Sequence, residues 1–193
     1  MKTGKEHLKL LLKSISGFSD TELAKIADKF FEVNAPKNRI LLNNGEVCDA
    51  FYFVNEGCIR TYFLREDGSE KTRLILPSFS IGTALSSFIA KKPSFEFVDA
   101  LENSNLFAIS RSDFYELVSE SQQWSVFYQK ILEMAYTFQN TKIEHLITLS
   151  ASERYEMLQK ENPKLLQVVS NKIIASYLDI APETLSRIRA ARS

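Results

Sequence analysis

The spacing of apolar residues changes twice along the chain, and each change marks a different kind of element. Between residues 5 and 33 apolar side chains recur every three or four positions, which predicts two short helices separated at Gly17. Ser19 and Glu22 have the spacing of a capping box at the start of the second helix. From Asn38 to Ser110 the period falls to two, which predicts at least six short strands.

Turn residues separate these predicted strands. Asn55-Glu56-Gly57 ends one alternating run, and Asp67-Gly68 lies between two others. Asp-Gly between alternating runs is a strong signal for an antiparallel hairpin. Many short strands joined by such turns are typical of a β-sandwich or roll.

From Ser112 to about Leu149 the period is helical again and predicts one helix of about 30 residues, or about 45 Å. Its narrow apolar stripe runs close to a heptad seam and continues through Thr141 and His145. Either a partner's helix or the chain's own domain covers this stripe, and we expect a homodimer. The predicted interface residues are Trp124, Phe127, Ile131, Met134 and Phe138.

The last 44 residues or so predict a small helical unit. One helix covers Ser152 to Lys160, and Ser170 caps a second that runs to about Leu178. A turn at Asp179-Ile180-Ala181 leads to a third helix, with Pro182 in its first turn, where its missing N–H costs nothing. Two helices joined by a three-residue turn have the layout of a helix-turn-helix.

The outer face of the last predicted helix is polar. In a helix-turn-helix the N-terminal turn of the second helix enters the major groove of DNA. An arginine there can pair with guanine O6 and N7, and a glutamate can accept from cytosine N4. The candidate DNA-binding residues are Glu183, Thr184, Ser186, Arg187 and Arg189.

Composition narrows the class of protein. Apolar residues make up 45% and charged residues 25%, which is ordinary for a globular protein. Lys plus Arg and Asp plus Glu number 24 each, so charge for DNA binding must be local or doubled by a dimer. Cys48 and Cys58 lack metal-ligand spacing and are expected to be reduced core thiols.

No catalytic constellation is recognisable. The sequence has no Walker loop, no metal-spaced cluster and no nucleophile–base pair, so we expect neither an enzyme nor a metal site. A cupin-type oxygenase would need histidines in the strand region, and residues 38–110 contain none. The N-terminal segment, with three leucines before Lys13, is too short and charged for a signal peptide or membrane span, so we expect a cytoplasmic protein without membrane contact.

Two segments carry a resemblance to a known family. Residues 174–189, IASYLDIAPETLSRIR, resemble the recognition motif of the Crp/Fnr family of bacterial regulators. Residues 51–62, FYFVNEGCIRTY, are similar to a strand–turn–strand of the cyclic-nucleotide-binding β-roll, and Gly45-Glu46 precedes them as in that fold. The long helix occupies the family's dimerisation position, so the resemblance covers nearly the whole chain.

The resemblance implies roles for residues of the last helix. Glu183 and Arg187 fall on positions that read base edges, Thr184 falls on a phosphate contact, and Ser186 lies nearby. Pro182 is a departure, because the family often has an arginine there. Arg189 and Arg192 are candidates to replace that contact through phosphates.

The ligand site is where the sequence departs most from the family. Nucleotide-binding members use a glutamate for the ribose and an arginine for the cyclic phosphate. Here Thr83 follows Gly82 where the glutamate belongs, and Lys92-Pro93-Ser94 stands near the arginine position. We therefore expect no cAMP binding and no other evident cofactor. The putative pocket comprises Gly82, Thr83, Ser86, Ser87 and Ser94, which, with nearby lysines, either holds another anion or forms a solvated loop.

The implied fold class is α+β, with a double-stranded β-helix or jelly roll of the cyclic-nucleotide-binding type, a long dimerisation helix and a C-terminal helix-turn-helix domain. The expected units are residues 1–111, 112–149 and 150–193. The expected function is a dimeric transcription regulator that reads a pseudo-palindromic site on double-stranded DNA. Its expected partners include an unknown small-molecule effector, and RNA polymerase is a further candidate. The alternative is a sensor module that acts through protein contacts.

Overall fold

Two antiparallel four-stranded sheets form the centre of the computed structural model, which describes residues 4–191. The strand orders are β1-β8-β3-β6 and β2-β7-β4-β5, and we call the pair of sheets the β-roll. The strands are β1 (Phe31–Ala35), β2 (Ile40–Leu42), β3 (Ala50–Glu56), β4 (Cys58–Leu64), β5 (Glu70–Pro77), β6 (Ile81–Gly82), β7 (Glu96–Ala100) and β8 (Ser104–Ser110).

Helices lie before, within and after the β-roll. The predicted α+β class, with a roll, a long helix and C-terminal helices, is confirmed. The helices are α1 (Gly4–Ser16), α2 (Asp20–Asp28), α3 (Leu85–Ala90), α4 (Arg111–Glu120), α5 (Gln122–Thr148), α6 (Ala151–Glu161), α7 (Leu165–Val168), α8 (Asn171–Leu178) and α9 (Pro182–Ala190).

The β4–β5 hairpin forms at the predicted turn. Cys58 to Leu64 pairs with Glu70 to Pro77 along the length of both strands. The Arg65 N–H donates to the Ser69 carbonyl at 2.9 Å, and Gly68 has a φ of +77°, which favours glycine at that position of the turn.

The N-terminal helices agree with the sequence except at their end. The capping box at Ser19 and Glu22 is present. The helical period was expected to continue to residue 33, but α2 ends at Asp28 and Phe31 begins β1. The helix ends before Phe31 because residues Phe31 to Ala35 pair with β8 as an antiparallel strand.

The predicted single helix after the β-roll is two helices. Ser121 has φ −126° and ψ 114°, an extended conformation that ends α4, and its side chain accepts from the Trp124 N–H to cap α5. Phe114 of α4 lies in the roll's core. The centre of its ring is 5.3 Å from the ring centres of Phe51 and Phe88 and 5.2 Å from that of Trp124. The break lets α4 pack on the roll while α5 extends away from it.

The C-terminal helices enclose a core of their own. Ile174 and Ala175 of α8 and Leu185 of α9 are fully buried, and Leu178 and Ile188 are nearly so. These five side chains form the inward face of the two helices. Ser170 caps α8 as predicted, and the turn that joins α8 to α9 is Asp179 to Ala181. The short helix α7 was not predicted. We call residues 150–191 the C-terminal unit.

The C-terminal unit rests on the second sheet. Cys58 and Ile75 of the sheet, with Leu101 just after β7, belong to the same hydrophobic cluster as the buried residues of the C-terminal helices. The β-roll and the unit therefore share apolar contacts in addition to being joined by α5.

Candidate DNA interface and effector cleft

The exposed face of α9 carries most of the predicted DNA-binding residues. Glu183, Ser186 and Arg187 are exposed, and Thr184 is partly so. Arg187 Nη2 donates to the Thr184 hydroxyl at 3.2 Å, which places both groups together on the outer side of the first turns. This face can present hydrogen-bond donors and acceptors to base edges and phosphates.

Arg189 has a different environment from the other predicted DNA-binding residues. Its Nε donates to the Tyr155 hydroxyl at 3.1 Å, its Nη2 donates to the Leu166 carbonyl at 3.3 Å, and its Nη1 donates to the Asn171 side chain. Those partners lie on α6, α7 and α8. These hydrogen bonds hold α9 in place, and they distinguish Arg189 from the exposed residues that are predicted to contact DNA. Arg192 lies outside the described residues.

Hydrogen bonds join α8 to strand β5. The Thr72 N–H donates to the Ser176 hydroxyl at 2.7 Å, and that hydroxyl donates to the Glu70 carbonyl, also at 2.7 Å. Lys71 forms an ion pair with Asp179 at the end of α8. These contacts fix the orientation of the helix-turn-helix relative to the roll.

Lys142 of α5 lies in the same contact region. Its ammonium donates to the Arg73 carbonyl at 2.8 Å and lies 4.3 Å from the centre of the Tyr177 ring. Burial lowers the pKa of Lys142 to about 8, with the nearby Lys71 adding to the effect. One lysine thus links the long helix, the roll and α8.

The predicted dimer residues divide into two groups. Trp124 and Phe127 are fully buried, and Ile131 is 6% exposed, all within the core of their own β-roll. These three assignments are corrected, because side chains that pack inside their own domain have no surface for a partner. Met134 is 56% exposed and Phe138 is partly buried, and both line a cleft against the β-roll.

A different stripe of α5 faces outward. Its apolar residues are spaced four, seven and three positions apart along the chain. They lie roughly a third of a turn around the helix from the face that packs on the β-roll. Tyr136 is 72% exposed and Ile143 is 54% exposed. The outward stripe consists of Leu132, Tyr136, Ile143 and Leu146, with Ile147 beside it.

Two serines of the predicted effector pocket, Ser87 and Ser94, form hydrogen bonds with backbone groups of the protein itself. Ser87 donates to the Lys92 carbonyl at 2.6 Å and accepts from the Cys48 N–H at 2.9 Å. The Ser94 hydroxyl donates to the Glu96 carbonyl and accepts from the Glu96 N–H, each at 3.0 Å. Ser86 is exposed and lies outside the cleft, so the structure does not gather these three serines into one pocket.

Gly82 and Thr83 do line a cleft, between the β-roll and α5. Its volume is about 200 Å³. The Thr83 hydroxyl donates to the Ala50 carbonyl at 2.6 Å and lies 3.0 Å from Cys48 Sγ. Both cysteines are unpaired and buried, which confirms that they are core thiols, and burial raises the pKa of Cys58 to about 12.

Comparisons with known proteins agree with this architecture. Residues 32–121 match the family model of the cyclic nucleotide-binding domain. FixK2 from Bradyrhizobium japonicum is similar in structure, with a TM-score of 0.70 at 19% identity over 84% of this chain and 83% of the other. A protein from Eubacterium rectale described as a crp/fnr-family transcriptional regulator also gives 0.70, at 17% identity over 90% and 83%.

The chain has the fold of the Crp/Fnr transcription regulators. A third Crp/Fnr-type structure, the Thermus thermophilus catabolite activator protein, gives a TM-score of 0.60 at 19% identity and covers 94% of this chain and 85% of the other. No curated protein sequence matches the chain. The resemblance inferred from residues 51–62 and 174–189 is therefore confirmed at the level of the fold and of the nucleotide-binding-type domain.

The cleft between the β-roll and α5 does not fit a cyclic nucleotide. Arg73 is the charged residue that lines it, and its Nη1 is paired with the nearly buried Glu96 at 3.2 Å. Thr83, at the ribose-binding position implied by the resemblance, has its hydroxyl bonded to the chain itself. A cyclic phosphate would need an uncommitted cation, and the cleft lining supplies none.

Residues 4–191 contain neither a metal-binding cluster nor a membrane-spanning helix. Within that range, no group of three or more His, Cys, Asp or Glu side chains is placed to hold a metal ion. In the same residues, no helix combines the length and apolar character needed to cross a membrane.

Proposed function

We propose that this chain is a homodimeric transcription regulator that reads double-stranded DNA with α9. The observation that carries the proposal is the contrast between the faces of α9. Leu185 and Ile188 fix the helix by burial, while Glu183, Ser186 and Arg187 remain exposed at its outer face. The Crp/Fnr-type fold supports a regulator, and this face supplies the chemistry for reading bases.

The outward stripe of α5 is the proposed dimer interface. Heptad-like apolar stripes on long helices are covered by a partner helix in coiled coils. Two chains that pair along α5 would place two α9 helices on one side of the dimer. Two-fold symmetry then predicts an inverted-repeat operator, with half-site centres about 10–10.5 base pairs apart or a multiple of that distance.

The proposed coupling between effector and DNA runs through β5. That strand lines the cleft with Leu74 and Leu76 and bonds to α8 through Glu70 and Thr72. A molecule that enters the cleft would shift α5 relative to β5 and change the population of docked C-terminal units. The units 1–111, 112–149 and 150–193 are the proposed sensor, dimerisation and DNA-binding parts.

Replacement of Arg187 tests the DNA-reading face. Arg187→Ala removes an exposed guanidinium, with its hydrogen-bond donors, and no buried contact. We therefore expect an unchanged melting temperature. Affinity for DNA enriched from a random pool by the unmodified protein should fall by about 1–3 kcal/mol, or roughly five- to 150-fold. Fluorescence anisotropy at fixed salt measures both affinities.

Lys37→Ala is the matched control for this experiment. Lys37 is exposed in the turn between β1 and β2, so the variant loses the same unit of charge outside the C-terminal unit. It should bind the enriched DNA as the unmodified protein does. Equal affinity of Arg187→Ala and Lys37→Ala would contradict the assignment of α9 as the reading helix.

A further inference from the structure

We propose that the cleft between the β-roll and α5 binds a small, uncharged, apolar molecule of about the size of one or two aromatic rings. This deepens the proposed function, because it names the chemical class of the effector. The binding itself is a property of the cleft and is measurable without DNA. It differs from what the matching domain's description implies, which is a cyclic nucleotide.

The walls of the cleft are apolar and come from both sides. The β-roll side contributes aliphatic and aromatic carbon from β3, β5, β6 and α3, and α5 contributes the opposite wall. Apolar walls favour apolar ligands, since burial contributes roughly 25 cal/mol per Å² of apolar surface. The main wall residues are Phe51, Leu74, Leu76, Ile131, Met134 and Phe138.

The polar groups at the edge of the cleft are already paired. Arg73 forms an ion pair with Glu96. The Gln139 amide is oriented so that its oxygen accepts from Arg73 Nη2 at 2.6 Å and from Arg73 Nε at 3.1 Å. A charged ligand would have to break these pairs or enter unpaired, and either change leaves a buried charge without a partner. An uncharged ligand meets neither cost.

The size of the cleft fits a small ligand. Its volume of about 200 Å³ exceeds that of apolar cavities of about 150 Å³, which stay dry and bind benzene. The partner helix of the proposed dimer does not fill the cleft. It would pack on the outward stripe, where Tyr136 and Ile143 face away from the cleft, whereas Ala135 and Phe138 face into the cleft. One or two rings therefore suit the cleft, whereas a nucleotide is too large and too polar.

Titration of the protein tests the proposal, with indole, naphthalene and cAMP as probes. Amide chemical shifts report binding and its location. We expect saturable binding of indole, with shifts at Leu74, Gly82 and Ala135, and no response to cAMP. Absence of saturable indole binding would overturn the proposal, as would cAMP binding that displaces indole.

Two variants locate the binding. Ala135→Phe places a ring inside the cleft and should weaken indole binding at least tenfold. Thr137→Phe adds the same ring on an exposed position of α5 and should bind as the unmodified protein does. Unchanged affinity in Ala135→Phe would contradict the assigned site.

A third variant keeps the proposal testable if Ala135→Phe does not fold. Leu74→Ala enlarges the cleft and should raise the affinity for naphthalene severalfold relative to indole. No change in that ratio would count against the cleft. Loss of DNA binding by Arg187→Ala leaves every one of these outcomes unaltered, so failure of this proposal and failure of the proposed function are distinguishable.

Discussion

Arg187 and Arg189 stand two residues apart in α9 and have opposite surroundings. Arg187 is exposed and its guanidinium donates to the nearby Thr184 hydroxyl, whereas Arg189 is half-buried and bonds to three other helices. A step of two residues turns a side chain by about 200° around a helix, which accounts for the difference. Helix α9 thus combines one exposed arginine, which we propose for DNA recognition, with one that holds the helix in place.

Arg189→Ala should destabilise the C-terminal unit. The variant leaves the Tyr155 hydroxyl, the Asn171 side chain and the Leu166 carbonyl without this donor, and hydrogen bonds to a charged group contribute about 1.5–3 kcal/mol. We expect the free energy of unfolding to fall by roughly that amount in urea denaturation. Arg187→Ala is the control. Equal stability of the two variants would show that Arg189 does not hold α9.

At the scale of elements, α5 has an inner and an outer apolar face. The inner face packs on the roll through Trp124, Phe127 and Ile131 and then borders the cleft. The outer face contains Tyr136 and Ile143 and has no contact with the rest of the described chain that would bury it. The sequence alone did not separate them, because both faces repeat at three and four residues.

Ile143→Glu should convert the proposed dimer to a monomer. A carboxylate in the centre of the outward stripe would be buried without a partner when two α5 helices meet. Thr137→Glu adds the same charge on an exposed position away from the stripe and should leave the dimer intact. Light scattering at micromolar concentration gives both masses. A dimer that persists in Ile143→Glu would place the interface elsewhere.

At the scale of the whole molecule, β5 contacts both the proposed effector cleft and the helix-turn-helix. It lines the cleft on one side, and its main chain bonds to Ser176 of α8. Lys142 adds a contact from α5 to the same strand. In the proposed dimer, the position of each α9 therefore depends on how α5, β5 and α8 meet.

Much of the local structure was predictable from sequence because its signals are local. The capping box at Ser19, the turn at Gly68 and the start of α9 at Pro182 each depend on residues close in the chain. The same holds for the outward side chains of α9, since helical period alone separates Arg187 from Leu185.

The remaining features depend on contacts between distant residues. The end of α2 is decided by pairing of β1 with β8, and the break at Ser121 by packing of Phe114 in the roll. The partners of Arg189 and the hydrogen bonds of Ser87 and Ser94 also join separate segments. Periodicity gives no information about such contacts.

Selection of bound DNA from a random pool tests the central claim most directly. The purified protein is incubated with the pool at fixed salt, and the recovered sequences are read after several rounds. The proposed dimer predicts an enriched inverted repeat with half-site centres about 10–10.5 base pairs apart, or a multiple of that spacing. Recovery of a pool without any enriched sequence would contradict DNA reading by α9, and an enriched single site without symmetry would contradict the dimer.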